Sequence, residues 1–169
     1  MKYVSIILLC SSLIFAGLER VSEKRMKIRL FGELSAFFAA VAEEVRVYKR
    51  GFADALAYAE RRLSENSFSF PLNAAEVLGE SCGAYDGWKN AVASDPRLKI
   101  LGQDTVEKVV SVYGLLYETS SDGVAASCEA LSRGFAEKKE ELSHKQPSDE
   151  RLTVTGAFLA AAAIFIILI

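Results

Sequence analysis

The sequence predicts an all-α protein, in which an antiparallel bundle of about six helices is flanked by an N-terminal and a C-terminal transmembrane helix. Two apolar runs without a charged side chain, residues 3–18 and 152–169, lie at the two ends of the chain. The residues between them are rich in Ala, Glu, Leu, Lys and Arg, which lose little side-chain freedom in a helix. We therefore expect three parts: a transmembrane helix at 3–18, a helical bundle domain at 19–150, and a transmembrane helix at 152–169.

The composition is typical of one charged domain held between two apolar anchors. The chain has 169 residues, of which 51% are apolar and 25% charged, and the two apolar runs supply much of the apolar excess. A central part of this length can bury a single hydrophobic core. The formal net charge of −2 provides no strongly basic face, so we expect no nucleic-acid partner.

The first apolar run also has features of a signal peptide, with Lys2 before an apolar stretch of suitable length. Signal peptidases need small residues at positions −3 and −1 of the cleavage site. Cleavage after Ala16 would place Ile14 at −3, and cleavage after Gly17 would place Phe15 there. Both are too large, which favours retention of the run as a membrane anchor.

Basic residues next to the two runs predict the orientation of the chain, because Lys and Arg accumulate on the cytoplasmic side of membrane spans. Those on the inner flanks of the runs are Arg20, Lys24, Arg25, Lys27 and Arg29 after the first, and Lys138, Lys139, Lys145 and Arg151 before the second. Only Lys2 lies on an outer flank. We therefore expect a multi-pass membrane protein with two spans, a cytoplasmic central domain and both termini outside.

The first half of the central domain divides into three helices. Apolar spacing continues from the first run into a long amphipathic helix that ends near Lys49, where Gly51 breaks the pattern. A second helix begins at Phe52 and ends around Asn66. Pro71 is suited to the first turn of a third helix, because its missing N–H has no partner there in any case.

The second half divides into three further helices. A short fourth helix stops before Pro96, since the residue preceding a proline disfavours helical geometry. Asp104 followed by Glu107 predicts a capping-box start for the fifth helix. Asp122 is the predicted cap of the sixth, and Pro147 is expected to separate that helix from the second span.

No residue pattern of a catalytic, cofactor or metal site stands out. The single histidine, His144, has no His or Cys three to five positions away, and we expect a solvated helix-end residue. Gly79, Gly83 and Gly87 lack the following Gly-Lys-Ser/Thr of a phosphate loop and are interpreted as turn residues. The three cysteines form no Cys-x-x-Cys pair and are expected to be reduced. We therefore predict that the protein is not an enzyme and holds no cofactor or metal.

The aromatic residues are predicted to be structural. Trp88 is the only tryptophan of the chain, and we expect its indole to fill the core. Phe37, Phe38, Tyr113 and Tyr117 recur at helical spacing and are also assigned to the core. Trp88 and Tyr113 are therefore our predicted structural residues.

Taken together, the chain resembles the stage III sporulation protein AB family of endospore-forming bacteria. The resemblance covers nearly the whole length, from the first span and its basic flank to the C-terminal span. The motifs that carry it are Glu44-Val45-Arg46, Phe52-Ala53-Asp54-Ala55-Leu56, Gly83-Ala84-Tyr85-Asp86-Gly87-Trp88, the segments 98–101 and 109–116, and Ser121-Asp122. Their order and spacing, at the right total length, are typical of that family.

The resemblance implies a helical domain similar to the cytoplasmic domains of type II secretion system F proteins, which form a membrane platform on which a secretion ATPase acts. It also implies a mother-cell component of the channel complex that links mother cell and forespore. The implied partners are the membrane, a secretion-type ATPase and other sporulation channel proteins, and self-association is left open. Two other functions stay open: a bitopic adaptor or regulator whose helical domain binds a signalling partner, and a membrane-bound enzyme of unrecognised type.

A platform must offer its motor a surface far from the bilayer, at the distal end of the first long helix. The basic residues nearest to that end are Arg46, Lys49, Arg50, Arg61 and Arg62. Antiparallel packing directs the last two back towards the membrane, so we predict that Arg46, Lys49 and Arg50 bind the partner. The neighbouring acidic pair Glu43-Glu44, like Glu140-Glu141, is expected to be a solvated helix face.

Overall fold

A computed structural model describes residues 2–62, 68–78, 84–118 and 120–168, with the side chains of 2–10, 13, 14, 115–118, 145–154, 157, 158, 161 and 165–168 left out. The described residues form helices and contain no strand. The helices are α1 (Lys2–Arg46), α2 (Phe52–Arg62), α3 (Phe70–Leu78), α4 (Ala84–Ser94), α5 (Pro96–Leu101), α6 (Gln103–Glu118) and α7 (Ser121–Leu168). The all-α prediction is thus confirmed for this part of the chain.

The chain contains two compact units. One consists of Arg29–Lys138, and the other of Met1–Ile28 together with Lys139–Ile169. Among the described residues, no helix is at once long enough and apolar enough to cross a membrane. Of the predicted spans, 3–18 and 152–169, a large part lies outside the described side chains.

The core of the unit Arg29–Lys138 is built on one face of α1. The fully buried residues of this face are Leu34, Phe37, Phe38 and Val41. Their spacing of three and four positions places them on one side of a helix. The Phe37 ring lies 5.6 Å from the ring of Phe70 in α3, and the Phe38 ring lies 5.9 Å from that of Phe135 in α7. Burial of each such side chain contributes about 1.5–3 kcal/mol, so this face organises the unit.

The short helix α5, which was not predicted from the sequence, follows a buried aspartate. Asp95 Oδ1 accepts from the N–H groups of Arg97 (2.8 Å) and Leu98 (3.1 Å) and so caps α5. Its Oδ2 accepts from the N–H groups of Ser69 (2.7 Å) and Phe70 (3.0 Å) at the start of α3. One carboxylate therefore satisfies the first donors of two helices, which explains why it is buried.

Two predicted helix caps are wrong. α6 begins at Gln103, after Gly102 in an extended positive-φ conformation, so Asp104 lies inside its first turn. The Asp104 carboxylate accepts from Lys108 Nζ at 2.8 Å. Asp122 likewise lies inside the first turn of α7, where the N–H of Val124 donates to the carbonyl of Ser120. Acidic side chains still stabilise the helix at these positions, because the helix dipole is positive at the N-terminus.

The predicted break at Pro147 is also wrong, because α7 continues from Ser121 to Leu168. An internal proline removes one helical hydrogen bond but does not have to end the helix. His144 consequently lies within a helix and not at its end. Its exposed ring has Nε2 3.5 Å from Oε1 of Glu140, one turn earlier.

Gly87 is a packing residue of α4 and not a turn residue, which corrects its assignment. A Cβ atom built on Gly87 would overlap Cγ1 of Val77 in α3. The absence of a side chain therefore allows α3 and α4 to approach closely. Gly79 and Gly83, assigned to the same turn pattern, lie outside the described residues.

Candidate partner-binding surface

Backbone hydrogen bonds define the turn that follows the C-terminal end of α1. The N–H of Val47 donates to the carbonyl of Glu43 (2.9 Å), and the N–H of Arg50 donates to the carbonyl of Glu44 (3.3 Å). Lys49 has a φ of 54°, the left-handed conformation that usually selects glycine at this position. α1 therefore ends at Arg46, three residues before the predicted end, and the chain turns through Lys49.

The turn and the following helix expose three large side chains. Val47 is 64% exposed, Tyr48 56% and Tyr58 of α2 42%. The guanidinium carbon of Arg50 lies 3.4 Å from the ring centroid of Tyr58 and 5.6 Å from that of Tyr48. We call the surface formed by Val47, Tyr48, Arg50 and Tyr58 the α1–α2 corner. Tyr and Arg are enriched in protein interfaces, so its composition is suited to binding another protein.

A buried carboxylate holds Arg50 in place from beneath. Arg50 Nε lies 3.2 Å from Oε2 of Glu44, a residue that is only 4% exposed. Arg62 of α2 reaches the same carboxylate at 3.6 Å and donates to Glu43 at 2.9 Å. The prediction of a solvated Glu43-Glu44 face is therefore wrong for Glu44. Its charge is offset because α2 and the turn each bring a guanidinium to it.

The hydrogen bond to Glu43 and the charge of that carboxylate raise the pKa of Arg62 above its ordinary value. Arg62 thus stays charged, as arginine does throughout the pH range of folded proteins. From the sequence, Arg61 and Arg62 were predicted to lie towards the membrane, away from the partner surface. In the structure Arg62 links α2 to the end of α1, and the guanidinium carbon of Arg61 lies 5.7 Å from the ring centroid of Tyr58.

The predicted partner-binding residues are Arg46, the last residue of α1, and Lys49 and Arg50 in the turn that follows; of the three only Arg50 belongs to the corner, and each has an acidic partner. Arg46 forms an ion pair with Glu129 of α7, and Lys49 Nζ lies 3.2 Å from Oδ1 of Asp122. Their positive charges are consequently offset on the protein itself. What distinguishes the corner is its exposed aromatic area beside a fixed guanidinium.

Val47, Tyr48 and Tyr58 were not predicted from the sequence to bind a partner. A signal for the first two was present, because they follow Val45 as apolar residues beyond the buried face of α1. For Tyr58 the signal was weaker, since it lies between the buried positions Leu56 and Ala59 of α2.

Trp88 and Tyr113 lie in the core. The Trp88 indole is fully buried, packs 5.9 Å from the Phe70 ring, and donates from Nε1 to the carbonyl of Val110 at 3.1 Å. Tyr113 is buried with its ring 5.5 Å from that of Tyr85. The Trp88 ring also contacts Phe52, the first residue of α2, at 5.8 Å. Trp88 therefore supports the helix that carries Tyr58. Tyr117 lies outside the described side chains.

Neither a metal site nor a reactive thiol is found among the described side chains. Among them, no group of His, Cys, Asp and Glu side chains is arranged to hold a metal ion. Burial raises the pKa of the Cys128 thiol to about 12, which keeps it protonated and unreactive at neutral pH. Cys10 and Cys82 lie outside the described side chains.

Comparison with known protein families matches residues 2–169 to the family described as stage III sporulation protein AB. The protein belongs to this family. The resemblance inferred from the sequence motifs is confirmed, and the family's description makes this a sporulation protein. No match was found among curated proteins or among solved structures. The matched range includes both apolar runs and the whole of the α1–α2 corner.

Proposed function

We propose that this stage III sporulation protein AB family member is a non-enzymatic membrane platform in a sporulation channel or secretion complex. A cytoplasmic secretion-type ATPase engages it at the α1–α2 corner. The observation that carries this proposal is the exposed Tyr48–Arg50–Tyr58 cluster, in which Arg50 stacks on Tyr58 at 3.4 Å.

The corner favours protein binding because its side chains are ordered before a partner arrives. Tyr48 and Tyr58 are large, rigid and more than two-fifths exposed, so their contact area is available at a small loss of side-chain entropy. Arg50 is fixed by the Tyr58 ring and the Glu44 carboxylate. Interfaces commonly concentrate binding energy in such Tyr and Arg residues.

Two membrane spans at 3–18 and 152–169 belong to the same proposal. Both runs lack charged side chains, and basic residues flank each run on its inner side. The family resemblance also implies a domain similar to the cytoplasmic domains of type II secretion system F proteins, and this expectation agrees with a cytoplasmic location.

The membrane topology has its own test. Single-cysteine variants of the full-length protein, with the cysteine at an exposed position such as Glu137 or Lys139, are treated with a membrane-impermeant thiol reagent in intact and in permeabilised cells. Labelling only after permeabilisation supports the cytoplasmic domain. Labelling in intact cells contradicts it.

The platform function is tested with Tyr48→Ala/Tyr58→Ala in full-length protein expressed in sporulating cells. Crosslinking followed by affinity purification identifies the bound proteins, and spore counts report function. Tyr85→Ala is the matched control, because Tyr85 is 48% exposed and also contacts another ring.

We expect that a secretion-type ATPase no longer co-purifies with the double variant and that cells carrying it form fewer spores. The Tyr85→Ala variant should bind the ATPase and support spore formation as the wild type does. Loss of a signalling protein instead of an ATPase would favour the adaptor function. If the double variant still captures the ATPase normally, the α1–α2 corner is not the surface that binds the ATPase.

A further inference from the structure

The exposed side of α2 carries charged and aromatic side chains in a regular order. Asp54, Tyr58 and Arg61 are exposed and lie at positions i, i+4 and i+7 of this helix, so they share one face. We call these three residues the α2 stripe. The buried residues of the helix, which lie on its other side, are Ala55, Leu56 and Ala59.

The two charges at the ends of the α2 stripe are not offset within the described part of the chain. Arg62, the residue that follows the stripe, donates to Glu43 at 2.9 Å. Among the described residues, by contrast, Asp54 and Arg61 form no ion pair. The guanidinium carbon of Arg61 lies 5.7 Å from the ring centroid of Tyr58. Both charges are thus available to opposite charges on another molecule.

The order of the α2 stripe is complementary to itself when two copies of the helix meet antiparallel. The midpoint between positions 54 and 61 lies next to Tyr58. A two-fold axis at that point places Asp54 of one copy opposite Arg61 of the other, on both sides of the axis. The two ion pairs are then separated by about 10 Å along the helix, with the two Tyr58 rings between them. A parallel arrangement would place equal charges opposite each other, so charge complementarity selects the antiparallel one.

Exposed aromatic area accompanies these charges. Tyr58 is 42% and Tyr48 56% exposed, and both rings lie near the guanidinium of Arg50. The contact with Arg50 restricts the Tyr58 side chain before association, so little rotamer freedom is lost when a second Tyr58 ring packs against it. The α2 stripe therefore supplies both the contact area and the charge pairs of a small symmetric interface.

We propose that the α2 stripe binds the same stripe of a second copy of this chain, with the two helices antiparallel about a two-fold axis next to Tyr58. Asp54 of each copy pairs with Arg61 of the other. This inference goes beyond the proposed function and does not require it. Because Tyr58 also belongs to the α1–α2 corner, a second copy and the ATPase compete for it, and that consequence alone rests on the proposed function.

Charge reversal tests this arrangement with full-length protein in detergent. The variants are Asp54→Arg, Arg61→Asp and the double exchange Asp54→Arg/Arg61→Asp. Self-association of each is measured by analytical ultracentrifugation. Association between the two single variants is measured by energy transfer between a donor-labelled and an acceptor-labelled preparation.

The matched controls reverse two exposed charges of α4, in the variants Asp86→Arg and Lys89→Asp. They change the net charge by the same amount as the single variants of the α2 stripe but lie on another helix. Helical content and melting of every variant confirm that it is folded.

We expect the wild type to self-associate and the α4 controls to match it. Each single variant of the α2 stripe should self-associate about tenfold more weakly, because two attractive pairs become repulsive. A mixture of Asp54→Arg with Arg61→Asp should associate as tightly as the wild type, since both pairs are attractive again. The double exchange should restore self-association for the same reason.

A wild type that does not self-associate overturns the proposal, and so do single variants that self-associate as tightly as the wild type. A mixture or a double exchange that stays weak, with every variant folded, also overturns it, because the antiparallel pairing requires both to recover. These measurements contain no ATPase, so their outcome is separate from that of the platform test.

Discussion

The guanidinium carbon of Arg50 lies 3.4 Å from the centroid of the Tyr58 ring, joining the turn after α1 to the exposed side of α2. The same guanidinium contacts the buried carboxylate of Glu44 through Nε. Arg50 thus belongs both to the exposed corner and to an internal ion pair. Any test of the corner by substitution of Arg50 has to separate binding from stability.

Arg50→Glu should lower the free energy of unfolding by about 1–3 kcal/mol, because it places a second carboxylate against buried Glu44. Lys49→Glu should change it by less than about 1 kcal/mol, since Lys49 and Asp122 form an exposed pair. Thermal and denaturant unfolding of both variants measure this difference. Equal stability of the two would show that the contact of Arg50 with Glu44 contributes nothing. Reversal of Arg46, Lys49 and Arg50 together therefore cannot by itself identify a binding surface.

Lys49→Gly should increase the free energy of unfolding by about 1 kcal/mol relative to Lys49→Ala. Both variants lose the ion pair with Asp122, but only glycine adopts the φ of 54° without steric cost. Chemical denaturation of the pair isolates the backbone effect. A Lys49→Ala variant as stable as Lys49→Gly would contradict the strained turn.

Asp95→Ala should destabilise the protein by about 2–4 kcal/mol, since two helix caps are lost together. Asp95→Asn retains one acceptor oxygen and should lose less. Exposed Asp86 supplies the control, and Asp86→Ala should have little effect. Unfolding curves rank the three variants, and an Asp95→Ala variant that melts like Asp86→Ala would count against a shared cap.

Trp88→Ala should lower the free energy of unfolding by about 3–5 kcal/mol, because it leaves a large cavity beneath Phe52 and Phe70. Trp88→Phe fills most of that space but leaves the carbonyl of Val110 without the indole donor, so its loss should be smaller. Calorimetry measures both losses. If the Trp88→Ala variant instead melts at the wild-type temperature but no longer binds a partner protein, Trp88 belongs to an interface.

Gly87→Ala and Gly134→Ala should change stability in opposite directions. The first introduces a methyl group against Val77 and should cost about 1–3 kcal/mol. The second meets open space and should gain up to about 1 kcal/mol from helix propensity. Thermal unfolding distinguishes them, and a stabilised Gly87→Ala variant would show that α3 can move aside without loss.

Local pattern was sufficient for much of the fold. The buried face of α1 could be predicted because Leu34, Phe37, Phe38 and Val41 recur with the period of a helix. Such a period depends only on residues that are close together in the sequence. The motif order was also sufficient to identify the family that matches residues 2–169. The sequence by itself thus determined the helical class, the main buried face and the family.

Only the tertiary structure decided which polar residues are buried. Glu44 was predicted to be solvated, as part of an acidic pair beside basic residues, yet Arg50 and Arg62 reach it from a turn and from another helix. Asp95 caps α3 through Ser69, twenty-six positions earlier in the chain. The α1–α2 corner arises in the same way, from side chains on separate elements. A periodic pattern specifies which side of a helix is buried, whereas charge pairs and caps between helices depend on distances that exist only after the helices have packed.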